Sequence, residues 1–152
     1  MTNINDEIFK QNIIDENYSL AMDNIPESFI PVNMLYIKGK INNIEQDIFI
    51  DTGAQVSVMS LSLAKQLGID YLIDHFCEGK LVGIGSKNMV GKIHYIDIEF
   101  GNFSLPCGFS IIDSDDLKII LGLNTMLSTG CIIDLKNKKM DFNNYEIKFL
   151  NY

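Results

Sequence analysis

The tightest constraint on this chain is a short apolar run that ends at an acid, Phe49-Ile50-Asp51-Thr52-Gly53-Ala54-Gln55. Ile48, Phe49 and Ile50 read as a buried strand, and the Thr-Gly step lets the chain turn sharply just past Asp51. An acid delivered to a strand exit in this way is either a turn cap or one half of a catalytic carboxylate pair. The tripeptide alone does not choose between them, so its surroundings must.

Those surroundings read as mainly β. From Val32 the period is two: Met34, Tyr36 and Lys38 alternate with Leu35, Ile37 and Gly39. Asn42-Asn43 supplies a turn, so Asp51 stands at the far end of a hairpin. Residues 55–59 predict a further apolar strand, and Ser60 is placed to cap a short helix over 61–67 that Gly68 ends. Gly79, Gly83, Gly85 and Gly91 then punctuate a second hairpin. Gly83-Ile84-Gly85 is no dinucleotide fingerprint, because Asn88 stands where the third glycine belongs and strand alternation follows instead of a helix.

His94, Ile96, Ile98 and Phe100 are expected on one strand face, with Tyr95, Asp97 and Glu99 on the other. His94 thus reads as a packed or hydrogen-bonded structural histidine, and His75 has no identifiable partner. Residues 103–112 form the next strand, with Pro106 marking an edge or a bulge. Ile119-Ile120-Leu121-Gly122 is a fully buried strand ending at a glycine, followed by a brief helix over 124–127. A hairpin through Lys136-Asn137-Lys138-Lys139 and a last strand within 145–150, exposed or paired with another chain, complete the pattern.

At 152 residues the chain has one domain's worth of core. Residues 1–30 read as an amphipathic helix, carrying Ile14, Tyr18, Ala21, Met22 and Ile25 at helical spacing, and a proline-bounded connector. Residues 31–152 are the domain proper. A net charge of −8 without a Lys/Arg cluster argues against nucleic acid or an anionic membrane as partner. No apolar run approaches a membrane span, and the polar, acidic start lacks the features of a secretory signal, so a cytoplasmic or nuclear location is expected. Cys77, Cys107 and Cys131 lack metal-ligand spacing and read as reduced core thiols, with a Cys107–His94 thiol nucleophile as the rival reading. The Asp113-Ser114-Asp115-Asp116 turn lacks the spaced ligands of a calcium loop, so neither metal nor cofactor is expected.

Taken in order, these elements resemble the retroviral-type aspartic proteases. Met34-Leu35-Tyr36-Ile37, the Asp51 stretch, Met59-Ser60, Gly68-Ile69, Leu72-Ile73-Asp74, Gly83-Ile84-Gly85, Leu105-Pro106-Cys107, Leu121-Gly122-Leu123 and Ile133-Asp134-Leu135-Lys136 are similar to the protease domain of the DNA-damage-inducible family of ubiquitin-shuttle proteins. The resemblance implies a homodimeric, closed β-barrel-like acid-protease fold with short helices. It implies that Asp51 is the catalytic acid, that the Thr52 hydroxyl bonds across the dimer axis, and that Gly53 and Ala54 complete the active-site loop. Gly83, Ile84, Gly85, Ser86 and Lys87 fall on the substrate-binding flap. Leu121-Gly122 falls on the segment that packs against the catalytic loop. Thr52 stands where close relatives usually carry Ser, and Asn124 stands in place of an acid. Any ubiquitin or proteasome link would run through domains absent from these residues.

The chemistry requires a dimer independently of the resemblance. Aspartic proteolysis needs two carboxylates sharing one proton, and this chain has a single Asp-Thr-Gly. The second Asp51 must come from a second copy across a two-fold axis. The expected function is therefore a homodimeric aspartic endopeptidase acting on extended polypeptides, and the resemblance implies that ubiquitinated clients are among them. The alternative is a non-catalytic peptide-binding or dimerisation module on the same fold.

Overall fold

The period-two alternation becomes a barrel because its apolar positions need one common interior. The computed structural model describes residues 3–77, 79–80 and 88–152. The chain divides into two compact units, Met1–Asn33 and Met34–Tyr152.

In the first unit, α1 (Ile4–Asn24) begins where the Asn3 side chain accepts a hydrogen bond from the Asn5 amide. A 3-10 turn, Pro26–Phe29, follows, and Phe29 meets Tyr18 edge-on at 5.3 Å. No residue of α1 is buried. The helix is less one-sided than its Ile14, Tyr18 and Ala21 stripe suggests, because at 100° per residue Phe9, Ile13 and Leu20 project from the opposite side.

In the second unit, β1 (Tyr36–Ile41) and β2 (Ile44–Ile50) form an antiparallel hairpin in the register Tyr36↔Phe49 to Ile41↔Ile44. Asn42 and Asn43 make its turn at φ 51° and 64°, the left-handed region that asparagine tolerates best after glycine. The next elements are β3 (Val58–Ser60) and α2 (Leu61–Gln66), where the Ser60 hydroxyl accepts from the Leu63 amide. β4 (Gly79–Lys80), β5 (Asn88–Phe100), β6 (Phe103–Ile112) and β7 (Ile119–Leu121) follow. The main sheet runs β1-β2-β7-β3-β6-β5-β4, and the pairing of Lys40 with Glu99 joins β5 back to β1. With β4 outside the ring, the remaining strands close a six-stranded barrel. Ile37, Ile41, Ile48, Ile93, Ile98, Phe109 and Ile111 fill it without solvent exposure. Each such side chain stabilises the fold by roughly 1.5–3 kcal/mol.

A second sheet, in the order β10-β9-β8, is built from β8 (Ile132–Asp134), β9 (Lys139–Phe142) and β10 (Tyr145–Lys148), after α3 (Leu123–Thr129). Stacked rings tie it to the barrel: Phe142 lies 6.2 Å from Phe100 and 5.8 Å from Phe103, and Tyr145 lies 5.2 Å from Phe103.

Two details differ from the sequence reading, and a third, the edge at Pro106, agrees with it. The strand expected over 55–59 is shorter and later, because residues 52–57 turn before Val58 pairs with β6 on one side and β7 on the other. The β5 alternation slips between Ile93 and Ile96, so Ile93 is buried and both His94 and Tyr95 face outward. Pro106 pairs with Asp97 on one side of β6, at a point where β3 does not reach the other, the edge position a missing amide tolerates.

Candidate active site

Asp51 is positioned by two strands at once. β2 runs parallel to β7, with Phe49 opposite Ile120 and Ile50 opposite Leu121. The ladder's last bond goes from the Asp51 amide to the Leu121 carbonyl at 3.1 Å. The chain then turns on the acid itself: the Gly53 amide donates to Asp51 Oδ1 at 2.9 Å, and the Ala54 amide donates to the Asp51 carbonyl at 3.2 Å. Among the described residues no other group donates to the carboxylate. Asp51 is half-buried, and Thr52 and Gly53 are exposed. The Thr52 hydroxyl makes no hydrogen bond within the described residues.

Beneath the turn, Ala54 packs with Val58, Ile112 and Ile120 in a small apolar cluster of its own. The segment from Leu121 into α3 grips the loop from the other side. Leu123 and Asn124 donate their amides to the carbonyls of Ala54 at 2.7 Å and Gln55 at 3.1 Å, and the Gly122 amide reaches Ser57 Oγ at 3.0 Å. Asn124 is absorbed locally: its Oδ1 accepts from the Thr125 amide at 2.8 Å, acceptor work that needs no negative charge.

The flap residues Gly83, Ile84, Gly85, Ser86 and Lys87 lie outside the described residues, as does the side chain of Cys77. The backbone on either side of that stretch pairs antiparallel, Gly79 with Met89 and Lys80 with Asn88.

The Cys107–His94 reading is corrected. The Cys107 sulfur turns inward to Thr125 Oγ1 at 3.5 Å, whereas His94 Nε2 points outward to Asp74 Oδ2 at 2.8 Å. Burial pushes the Cys107 thiol up, opposing thiolate formation. His75, unpartnered in the sequence reading, has Nδ1 3.2 Å from the Val90 carbonyl.

Sequence reasoning missed a buried polar cluster. Ser57 and Thr125 are buried, with their hydroxyl oxygens 2.8 Å apart. The one signal available was Ser57 itself, a polar residue inside the apolar run Val56-Ser57-Val58, which burial obliges to find a partner.

The family described as aspartyl protease matches residues 26–134. The chain is 35% identical over 146 residues to the DNA damage-inducible protein 1 of Cryptococcus neoformans var. neoformans, covering 96% of this chain and 34% of that protein. With the Homo sapiens protein named DDI1 homolog 2 it shares 38% identity over 133 residues, covering 88% and 33%. Among solved structures, the retroviral protease-like domain of Ddi1 from Leishmania major superposes with a TM-score of 0.72 at 31% identity, covering 79% of this chain and 96% of that one. The chain spans about a third of the length of the curated relatives it matches.

Proposed function

The chain belongs to the aspartyl protease family, alongside the retroviral protease-like domain of Ddi1, and from that premise we propose that it is an endopeptidase that works only as a homodimer. The observation that carries this reading is the presentation of Asp51: a carboxylate at a strand exit, held through Oδ1 by the Gly53 amide and flanked by an exposed hydroxyl without a partner among the described residues. A two-fold axis beside this loop would set the two Asp51 carboxylates against each other and let each Thr52 bond to the opposite loop. Exposed Leu127 on α3 and Ile132 on β8 supply apolar surface for such a contact.

Two carboxylates about 3 Å apart cannot both ionise, so the pair holds one shared proton. The ionised member takes a proton from a water molecule as its oxygen attacks the scissile carbonyl carbon, and the protonated member donates to the carbonyl oxygen. As the tetrahedral species collapses and the C–N bond breaks, the carboxyl that took the water's proton gives it to the leaving amine, and a hydroxyl of the diol returns a proton to the other carboxylate, which restores the shared proton. No covalent enzyme intermediate forms. Gly83, Ile84, Gly85, Ser86 and Lys87 would fold over an extended substrate and exclude bulk water. Clients carrying ubiquitin, delivered by segments outside this chain in the cytosol or nucleus, are the proposed natural substrates.

The test compares wild type with Asp51→Asn on a library of extended peptides across acidic and neutral pH, with sedimentation run in parallel. Expected are a wild-type dimer that cleaves and a folded Asp51→Asn dimer with turnover reduced at least ~10³-fold, the order seen when one member of a concerted catalytic set is removed. Equal turnover by both proteins, or a cleaving monomer, would rule the mechanism out. Peptide binding without cleavage would assign the non-catalytic module instead.

A further inference from the structure

One arrangement of protons satisfies every member of the hydroxyl cluster under the Asp51 loop. The Gly122 amide has left the β7 ladder and donates to Ser57 Oγ at 3.0 Å. Ser57 accepts there, which leaves its own O–H free to donate to Thr125 Oγ1 at 2.8 Å. Thr125 in turn donates toward Asn124 Oδ1 at 3.4 Å, and the Cys107 S–H toward the Gly108 carbonyl at 3.4 Å. No buried side-chain polar atom among the described residues is left without a partner.

This chain of hydrogen bonds begins at the peptide unit whose carbonyl receives the Asp51 amide. Gly122 follows Leu121, whose carbonyl receives the Asp51 amide, and Gly122 has no side chain with which to anchor itself. The hydrogen bonds of Leu123 and Asn124 to the loop run between backbone atoms. Among the described residues the Ser57 hydroxyl supplies the side-chain hydrogen bonds from the loop to this segment, one to the Gly122 amide and one to Thr125, 68 residues away.

We propose that Ser57 and Thr125 are positioning residues: their paired hydroxyls set the height of Gly122, and through the Leu121 carbonyl they level the two Asp51 carboxylates of the dimer. The proposal rests on the reading of Asp51 as half of a catalytic pair. A displacement of ~1 Å at a reacting group lowers rates by about 10²-fold without touching the substrate. Tilting one loop against the other also weakens the repulsion that separates the pair's two protonation steps.

The experiment measures kcat, KM and the pH profile of kcat, per mole of sedimenting dimer, for wild type, Ser57→Ala, Ser57→Thr, Thr125→Val and Thr125→Ser. Ser57→Ala and Thr125→Val are expected to lower kcat ~10- to 100-fold with KM within about 3-fold, and to draw the two limbs of the profile together. Ser57→Thr and Thr125→Ser, which keep the hydroxyls, should retain the wild-type profile. If Ser57→Ala fails to fold, Thr125→Val decides, because it removes only the O–H and keeps the shape. Variant dimers with wild-type kcat and limbs would overturn the positioning role and leave the Asp51 reading intact. A wild-type dimer that cleaves nothing would overturn both.

Discussion

The Cα of Gly122 lies so close to the backbone of Val56 that a Cβ built on it would fall 2.3 Å from the Val56 carbonyl carbon and 2.4 Å from its oxygen. Backbone cannot swing aside as a side chain can, so Gly122→Ala must push α3 off the Asp51 loop. We expect a loss of about 3 kcal/mol in urea unfolding and of measurable peptide cleavage. Gly130→Ala is the control: its Cβ would meet nothing within 4 Å, and only the positive φ of 59° is strained, at about 1–2 kcal/mol.

Phe142 stands between the barrel and the second sheet, stacked on both Phe100 and Phe103 and closed to solvent. Phe142→Ala removes the ring from a site walled by rigid neighbours. The expected destabilisation is about 3–5 kcal/mol. Urea titration of the variant checks it, and a shift below about 1 kcal/mol would mean that the site collapses around the smaller side chain.

Burial holds the Cys107 thiol up, and the hydrogen bonds from Thr125 and Ser57 offset that only in part. Cys131 is shifted the same way, from a less buried position. Under iodoacetamide at mildly alkaline pH, Cys131 is expected to be modified well before Cys107 in the native protein. In denaturant both should react alike, with peptide mass mapping as the readout.

The Asp134 carboxyl is held below its ordinary 3.8, first by the Asn137 side-chain amide at 2.8 Å and then by the Asn137 backbone amide at 3.0 Å. The folded chain thus binds this proton more weakly than the unfolded one. The stabilisation is present above 3.8 and is lost as the pH falls through the lowered folded value. Asn137→Ala should accordingly melt below wild type at neutral pH, and the gap should close under acid. A gap that persisted unchanged at the acid end would mean that Asn137 acts through the turn geometry alone.

Much of the frame was legible because its causes are local. The Asn42-Asn43 turn, the Ser60 cap, the positive φ of 70° at Gly68, and the Asp51 turn closed by Gly53 each depend on residues within a few positions of one another. Alternation set Tyr36 and Lys38 on one face and Ile37 and Gly39 on the other, and the burial pattern agrees. Where residues on one strand answer to two neighbours, the reading slipped. His94 left the face its period predicts because β5 must bulge to remain paired with β6 while bridging Lys92 to Asp74.

From the sequence alone came the mainly β frame and the lone acid at the strand exit, and with them the expectation of a second copy, since periodicity and turn chemistry act over a handful of bonds. Barrel closure decided what sits under that acid. The β2–β7 pairing, the Gly122–Val56 contact and the Ser57–Thr125 hydroxyl pair join residues some 65 or more positions apart, and no local preference encodes which distant partner a buried donor will meet.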